Sequence, residues 1–96
     1  MLTRKKIQEK LSNNRQYLIQ KYHISYLAIF GSVSRDENNE KSDVDILVDF
    51  TQPIGISFID LADELEEILN TKVDLVSRNG VKPKYFEQIK NDLIYV

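Results

Sequence analysis

Two short apolar runs, each joined to a polar feature, constrain this chain more than anything else in it. Tyr26-Leu27-Ala28-Ile29-Phe30 leads directly into Gly31-Ser32, and Asp43-Val44-Asp45 opens Ile46-Leu47-Val48-Asp49-Phe50, with ten polar-biased residues between. Runs of this length, rich in aliphatic and aromatic side chains, predict buried strands over about Tyr26 to Phe30 and Val44 to Phe50. The stretch from Phe30 to Phe50 therefore brings two carboxylates and a phosphate-sized turn together.

Alternate residues of a strand share a face, so Asp43 and Asp45 point the same way, with Cα atoms about 6.6 Å apart. Val44, Ile46, Val48 and Phe50 then make an apolar surface on the opposite face. Two carboxylates on one face repel, and one pKa rises unless a cation lies between them. A hard divalent ion such as Mg²⁺ removes that penalty, since it is held by one or two carboxylates together with substrate phosphates and water. The alternative is a solvated edge strand whose charges block aggregation.

Gly31 at a strand end permits a tight turn and close approach of a ligand to the backbone. Ser32 suits the cap of a short helix predicted to follow. The start of a helix offers unpaired N–H groups to anions, so a phosphate fits there, and Arg35 adds a charge-assisted contact. Each piece also has an ordinary explanation. Gly-Ser is common turn punctuation, and Arg35 beside Asp36 and Glu37 reads equally as a surface charge cluster.

Val73 to Val76 predicts a third strand with Asp74 inside it. An acid in an apolar strand is costly unless it is paired, metal-bound or on a wet face. If this strand lies beside the second, Asp74 becomes a third carboxylate near Asp43 and Asp45; taken alone, it reads as an exposed edge residue.

The remaining segments are helical. Ile7, Leu11, Leu18, Ile19 and Tyr22 predict a helix from Thr3 to Tyr22, broken around Ser12-Asn13-Asn14. Phe58, Leu61, Ala62, Leu65, Ile68 and Leu69 predict another from Ser57, as its cap, to Leu69, with its acids on the wet face. Pro83 to Asp92 predicts a last helix with proline in its first turn, and Leu93 to Val96 a terminal strand. Asp36 to Ser42 reads as a surface loop beside the candidate site. The fold class is α/β, a small mixed sheet with helices packed against it.

Composition removes several alternatives. Ninety-six residues with 42% hydrophobic and 29% charged side chains predict one globular domain over 1–96 rather than a disordered chain. No apolar stretch is long enough to span a membrane and no signal peptide is evident, so the expected location is the cytoplasm. The absence of cysteine excludes disulfides and thiolate metal sites, and the single His23 argues against a histidine zinc centre or a Ser-His-Asp triad. A formal charge of −2 gives no basic footprint for long nucleic acids.

Gly31-Ser32, ten residues, then Asp43-Val44-Asp45 resembles the signature of the DNA polymerase β-like nucleotidyltransferase superfamily, and specifically its smallest members, the minimal nucleotidyltransferases. The similarity takes in Arg35, Glu37, Ser42 to Val48, Phe50, Val73-Asp74-Leu75-Val76 and Ile94-Tyr95-Val96, and covers residues 20 to 96. It implies a polymerase β-like fold in which Asp43, Asp45 and Asp74 are catalytic carboxylates holding two Mg²⁺ ions, Asp74 nearer the acceptor. It further implies that Gly31 and Ser32, with Arg35, hold the triphosphate of ATP while a hydroxyl attacks the α-phosphate and pyrophosphate leaves.

Minimal nucleotidyltransferases typically accompany a HEPN-domain protein. The resemblance thus implies an antitoxin that neutralises a HEPN toxin by transferring AMP to one of its tyrosines. Two alternatives stay open: an antitoxin acting by contact alone, and a transferase for a small molecule such as an antibiotic. The chain departs from the family pattern at Ser34-Arg35-Asp36, where Ala-Arg-Gly is frequent, and at Asn70, where glycine commonly ends the helix. Neither departure removes an implied metal ligand.

Overall fold

The computed structural model describes residues 2–96. Helix α1 (Arg4–Tyr22) opens with Thr3 Oγ1 accepting the Lys6 N–H at 3.2 Å. It runs unbroken through Ser12-Asn13-Asn14, where a break was predicted. The Asn14 amide bonds back to the Lys10 carbonyl at 2.8 Å. Leu11 and Leu18, on either side, are fully buried, so packing outweighs the weak local preference. His23 ends the helix in the left-handed region at φ 54° and donates its N–H to the Ile19 carbonyl. That places the lone histidine in a connector.

Strand β1 (Ile24–Phe30) starts two residues earlier than predicted. It is followed by α2 (Gly31–Ser34), β2 (Val44–Phe50), α3 (Ser57–Leu69), β3 (Val73–Ser77), α4 (Pro83–Ile89), a 3-10 turn (Lys90–Asp92) and β4 (Ile94–Tyr95). The predicted last helix thus tightens over its final three residues, and the terminal strand shrinks to two. Neither Ser32 nor Ser57 is a helix cap, because both lie one position or more inside the first turn. Phe30 and Ile56 hold the cap positions and make no side-chain bond there. At α3 the cause is a preceding turn, Ser57 N–H to Ile54 carbonyl at 3.2 Å, which winds into the helix early. Asn70 leaves α3 at φ 52°, the left-handed exit that asparagine accepts almost as well as glycine.

The sheet order is β3-β2-β1-β4, with β2 and β3 parallel and the other neighbours antiparallel. Helix α3 makes the crossover that a parallel pair requires. This is the α/β arrangement with a small mixed sheet. No helix among the described residues is long and apolar enough to cross a membrane.

Alternation along β2 sorts side chains onto two faces. Val44, Ile46 and Val48 pack against Ile7, Leu11 and Leu18 of α1 and Leu61, Leu65 and Leu69 of α3, forming the principal core. Burying each such aliphatic chain contributes about 1.5–3 kcal/mol. Leu47 faces the other way and meets Phe30, Val81 and Ile89 beneath α4. Asp45, two positions before Leu47, belongs to this second face. The large core on one side fixes the register, and the register delivers the acid to the other side.

Candidate active site

Phe30 of β1, Asp45 of β2 and Asp74 of β3 are Cα partners in one row across three strands. The parallel pairing of β2 with β3 is what sets the two acids side by side. Asp43 lies just before β2 rather than within it and is exposed. Gly31 follows Phe30 and turns the chain at φ 75°. A Cβ at Gly31 falls onto Asp45 Oδ2, with Asp45 Cγ at 3.0 Å, so the Gly-Ser turn and the central acid are in direct contact.

Charge and burial act together on Asp45. Burial pushes its carboxyl up, the charges of Asp74 and Asp43 push further, and a hydrogen bond with Asp74 adds to this, bringing it to about 6 against a small opposing pull from Arg35. Asp45 and Asp74 form a close carboxyl pair, with Asp43 near enough for its charge to be felt. Among the described residues no three acidic or histidine side chains converge at metal-ligand distance. The donor chemistry nevertheless suits a hard cation, because a divalent ion relieves the repulsion that Asp74 and Asp43 exert on Asp45.

The other candidate residues are placed as follows. Ser32 is half-buried in the first turn of α2, and its carbonyl accepts the Glu37 N–H at 2.8 Å. Arg35 is exposed just after α2. Its guanidinium is engaged by Asp92 at 2.9 Å and Glu37 at 3.2 Å; the hydrogen bond to Asp92 and then that to Glu37 raise its pKa. Sequence reasoning weighed Glu37 and Asp36 as neighbours and missed Asp92, which lies 57 residues further on.

Ser34 was missed as well. It is buried, its hydroxyl donates to the Asp92 carbonyl, and its own carbonyl accepts from Arg4 Nη1 at 2.9 Å. These bonds tie the turn that carries Gly31 and Ser32 to both ends of the chain. Nothing local in the sequence signals partners that distant.

The family model for polymerase beta nucleotidyltransferases matches residues 5–96. The chain belongs to that family. A solved structure provisionally described as a minimal nucleotidyltransferase is 32% identical, superimposes with a TM-score of 0.73, and is matched over 90% of this chain and 92% of its own. The family's fold and its general reaction class, nucleotidyl transfer by an enzyme, follow. Protein adenylyltransferase MntA of Thermococcus cleftensis is 36% identical over 100% of this chain and 98% of its own length. MJ0128 of Methanocaldococcus jannaschii, provisionally named a protein adenylyltransferase, is 43% identical over the full length of both chains. A toxin–antitoxin structure with AMP-PNP shares the fold, with a TM-score of 0.72 at 24% identity over 86% of this chain and 69% of that one.

Proposed function

We propose that this chain transfers AMP from ATP to a tyrosine hydroxyl of a HEPN-domain toxin and so acts as the antitoxin of a toxin–antitoxin pair. The observation that carries the reading is the placement of Asp45 beside Asp74 and against the Gly31 turn, which puts a carboxylate pair next to a phosphate-sized backbone bend. Full-length relatives named as protein adenylyltransferases support the choice of a protein acceptor and an adenylyl group. The HEPN partner rests on the family resemblance.

Asp43, Asp45 and Asp74 would hold Mg²⁺, which when bound supplies charge neutralisation at the phosphates and lowers the pKa of the attacking hydroxyl. The chain's own residues do the rest. Gly31 and Ser32 lodge the phosphates against the start of α2, with no side chain at position 31 to keep them off. Asp74, the outer member of the row, faces the acceptor and takes its proton. Arg35 reaches the phosphates by exchanging Asp92 and Glu37 for them.

Intact-mass spectrometry of the partner after incubation with this chain, Mg²⁺ and each nucleoside triphosphate in turn tests the reading. The expected result is a mass gain of one or more AMP units with ATP, absent with Asp43→Asn or Asp45→Asn. A stable complex with no mass gain, whose toxin is still neutralised by those variants, would replace it with neutralisation by contact.

A further inference from the structure

On the α1 side of the sheet, behind the acids, a cavity of about 460 Å³ opens between the start of α1, α2, the segment 38–42 and the end of α3. That volume falls within the range of small-molecule sites. Leu2, Ile7, Val33 and Val44 give it an apolar floor. The amides of Asn38, Asn39 and Asn70 and the hydroxyls of Ser42 and Thr71 stand around that floor. One cation, Lys6, and one anion, Glu40, complete the lining and cancel in charge.

The residues assigned to nucleotidyl transfer do not line this space; Ser42 and Val44, which do, flank Asp43 on either side. A polyphosphate gains nothing from a lining with balanced charge. Carboxamides offer donors and acceptors side by side, the pattern that reads the edge of a nucleobase, and an apolar floor accepts the face of its ring. We propose that this cavity binds a neutral heterocycle of nucleobase size. Internal bonds hold the rim in place (Asn38 Nδ2 donates to the Leu2 carbonyl at 3.0 Å, the Asn39 N–H to Ser42 Oγ at 3.0 Å, and the Lys41 N–H to Asn39 Oδ1 at 2.8 Å), so the groups left to a ligand are Asn38 Oδ1, Asn39 Nδ2, the Asn70 amide and the Thr71 hydroxyl.

The test is titration of adenosine, guanosine, cytidine and uridine, each alone and without metal, into the isotope-labelled full chain, read by amide chemical shifts. At least one nucleoside shifts Ser42, Val44 and Thr71 and saturates below about millimolar. Thr71→Trp, whose ring fills the cavity, loses the shift, whereas Asp45→Asn keeps it. Should Thr71→Trp not fold, Asn38→Leu keeps the volume, removes one amide and weakens binding about tenfold. No saturable shift with any nucleoside, shifts confined to Gly31 and Ser32, or unchanged binding in the folded variant would each overturn the proposal. Since Asp45→Asn is expected to bind here and not to transfer, failure of this site is separable from failure of the transfer reading.

Discussion

Gly31 leaves no room for a side chain against Asp45: a Cβ there coincides with the Asp45 carboxylate, on a backbone already at φ 75°. Gly55 has a similar φ of 56° but open space around it. The two glycines therefore separate backbone strain from steric exclusion. Gly55→Ala meets only the left-handed penalty, about 1–2 kcal/mol. Gly31→Ala adds displacement of Asp45, so it is expected to destabilise more and to abolish transfer, while Gly55→Ala remains active. Melting temperatures and AMP incorporation for the two variants check this, and equal activity would show that Asp45 tolerates being moved.

The raised Asp45 carboxyl makes the stability of the metal-free protein depend on pH in a defined direction. Its folded pKa of about 6 lies above the ordinary value of 3.8, so the folded chain binds this proton more tightly than the unfolded one. Its contribution is fully present below the unfolded value and is lost as pH rises through about 6. A divalent cation takes over from the proton where the proton has left. In melting curves, Mg²⁺ is thus expected to stabilise the protein by a few degrees above about pH 7 and scarcely at all near pH 4. Asp45→Asn should remove both the Mg²⁺ effect and this part of the pH dependence. Equal stabilisation at both ends of the range would place the cation elsewhere.

How far such features are legible in a sequence depends on how far apart their parts lie. The strand from Val44 to Phe50 and the helix from Ser57 to Leu69 follow from periodicity within a few residues, and both stand at those bounds. The parallel register that pairs Asp45 with Asp74 is not written in either strand; resemblance to known transferases implied only that Asp74 joins the other two acids. The unbroken α1 was misread because Ser12-Asn13-Asn14 is locally unfavourable, and the packing that rescues it comes from β2 and α3. The Asp92 bonds to Ser34 and Arg35 join points so distant that local pattern says nothing of them.

Asp92 holds the Arg35 guanidinium at 2.9 Å, so it would compete with a phosphate for the same group. Arg35 is exposed and Asp92 partly so, and a solvent-screened pair of this kind adds little to folding. Asp92→Asn is expected to leave the melting temperature nearly unchanged and to tighten ATP binding. Arg35→Ala should weaken it, with the difference shrinking at high salt. Calorimetric titration of the two variants measures this. Unchanged ATP affinity in both would remove Arg35 from the nucleotide site and leave it as a surface tie between α2 and the 3-10 turn.

The far side of the molecule offers a stability variant that should spare the chemistry. Glu64 on α3 accepts hydrogen bonds from the hydroxyls of Tyr17 and Tyr22 on α1, with Lys21 Nζ at 3.3 Å. Partial burial pushes its carboxyl up, but the bonds from Tyr17, Tyr22 and Lys21 outweigh that and hold it below the usual range. A carboxyl so lowered stabilises the fold above its unfolded pKa, and that stability drains away as pH falls through the folded value. Glu64→Ala leaves the part-buried Tyr22 hydroxyl without its acceptor and unties α1 from α3. The expected cost is about 1–3 kcal/mol at neutral pH, less in acid. AMP incorporation per folded molecule should be unchanged, because α1 and α3 lie on the opposite face of the sheet from Asp45. Chemical denaturation at two pH values, alongside the transfer assay, checks both halves; a drop in transfer without loss of stability would tie this clasp to the acids through the sheet.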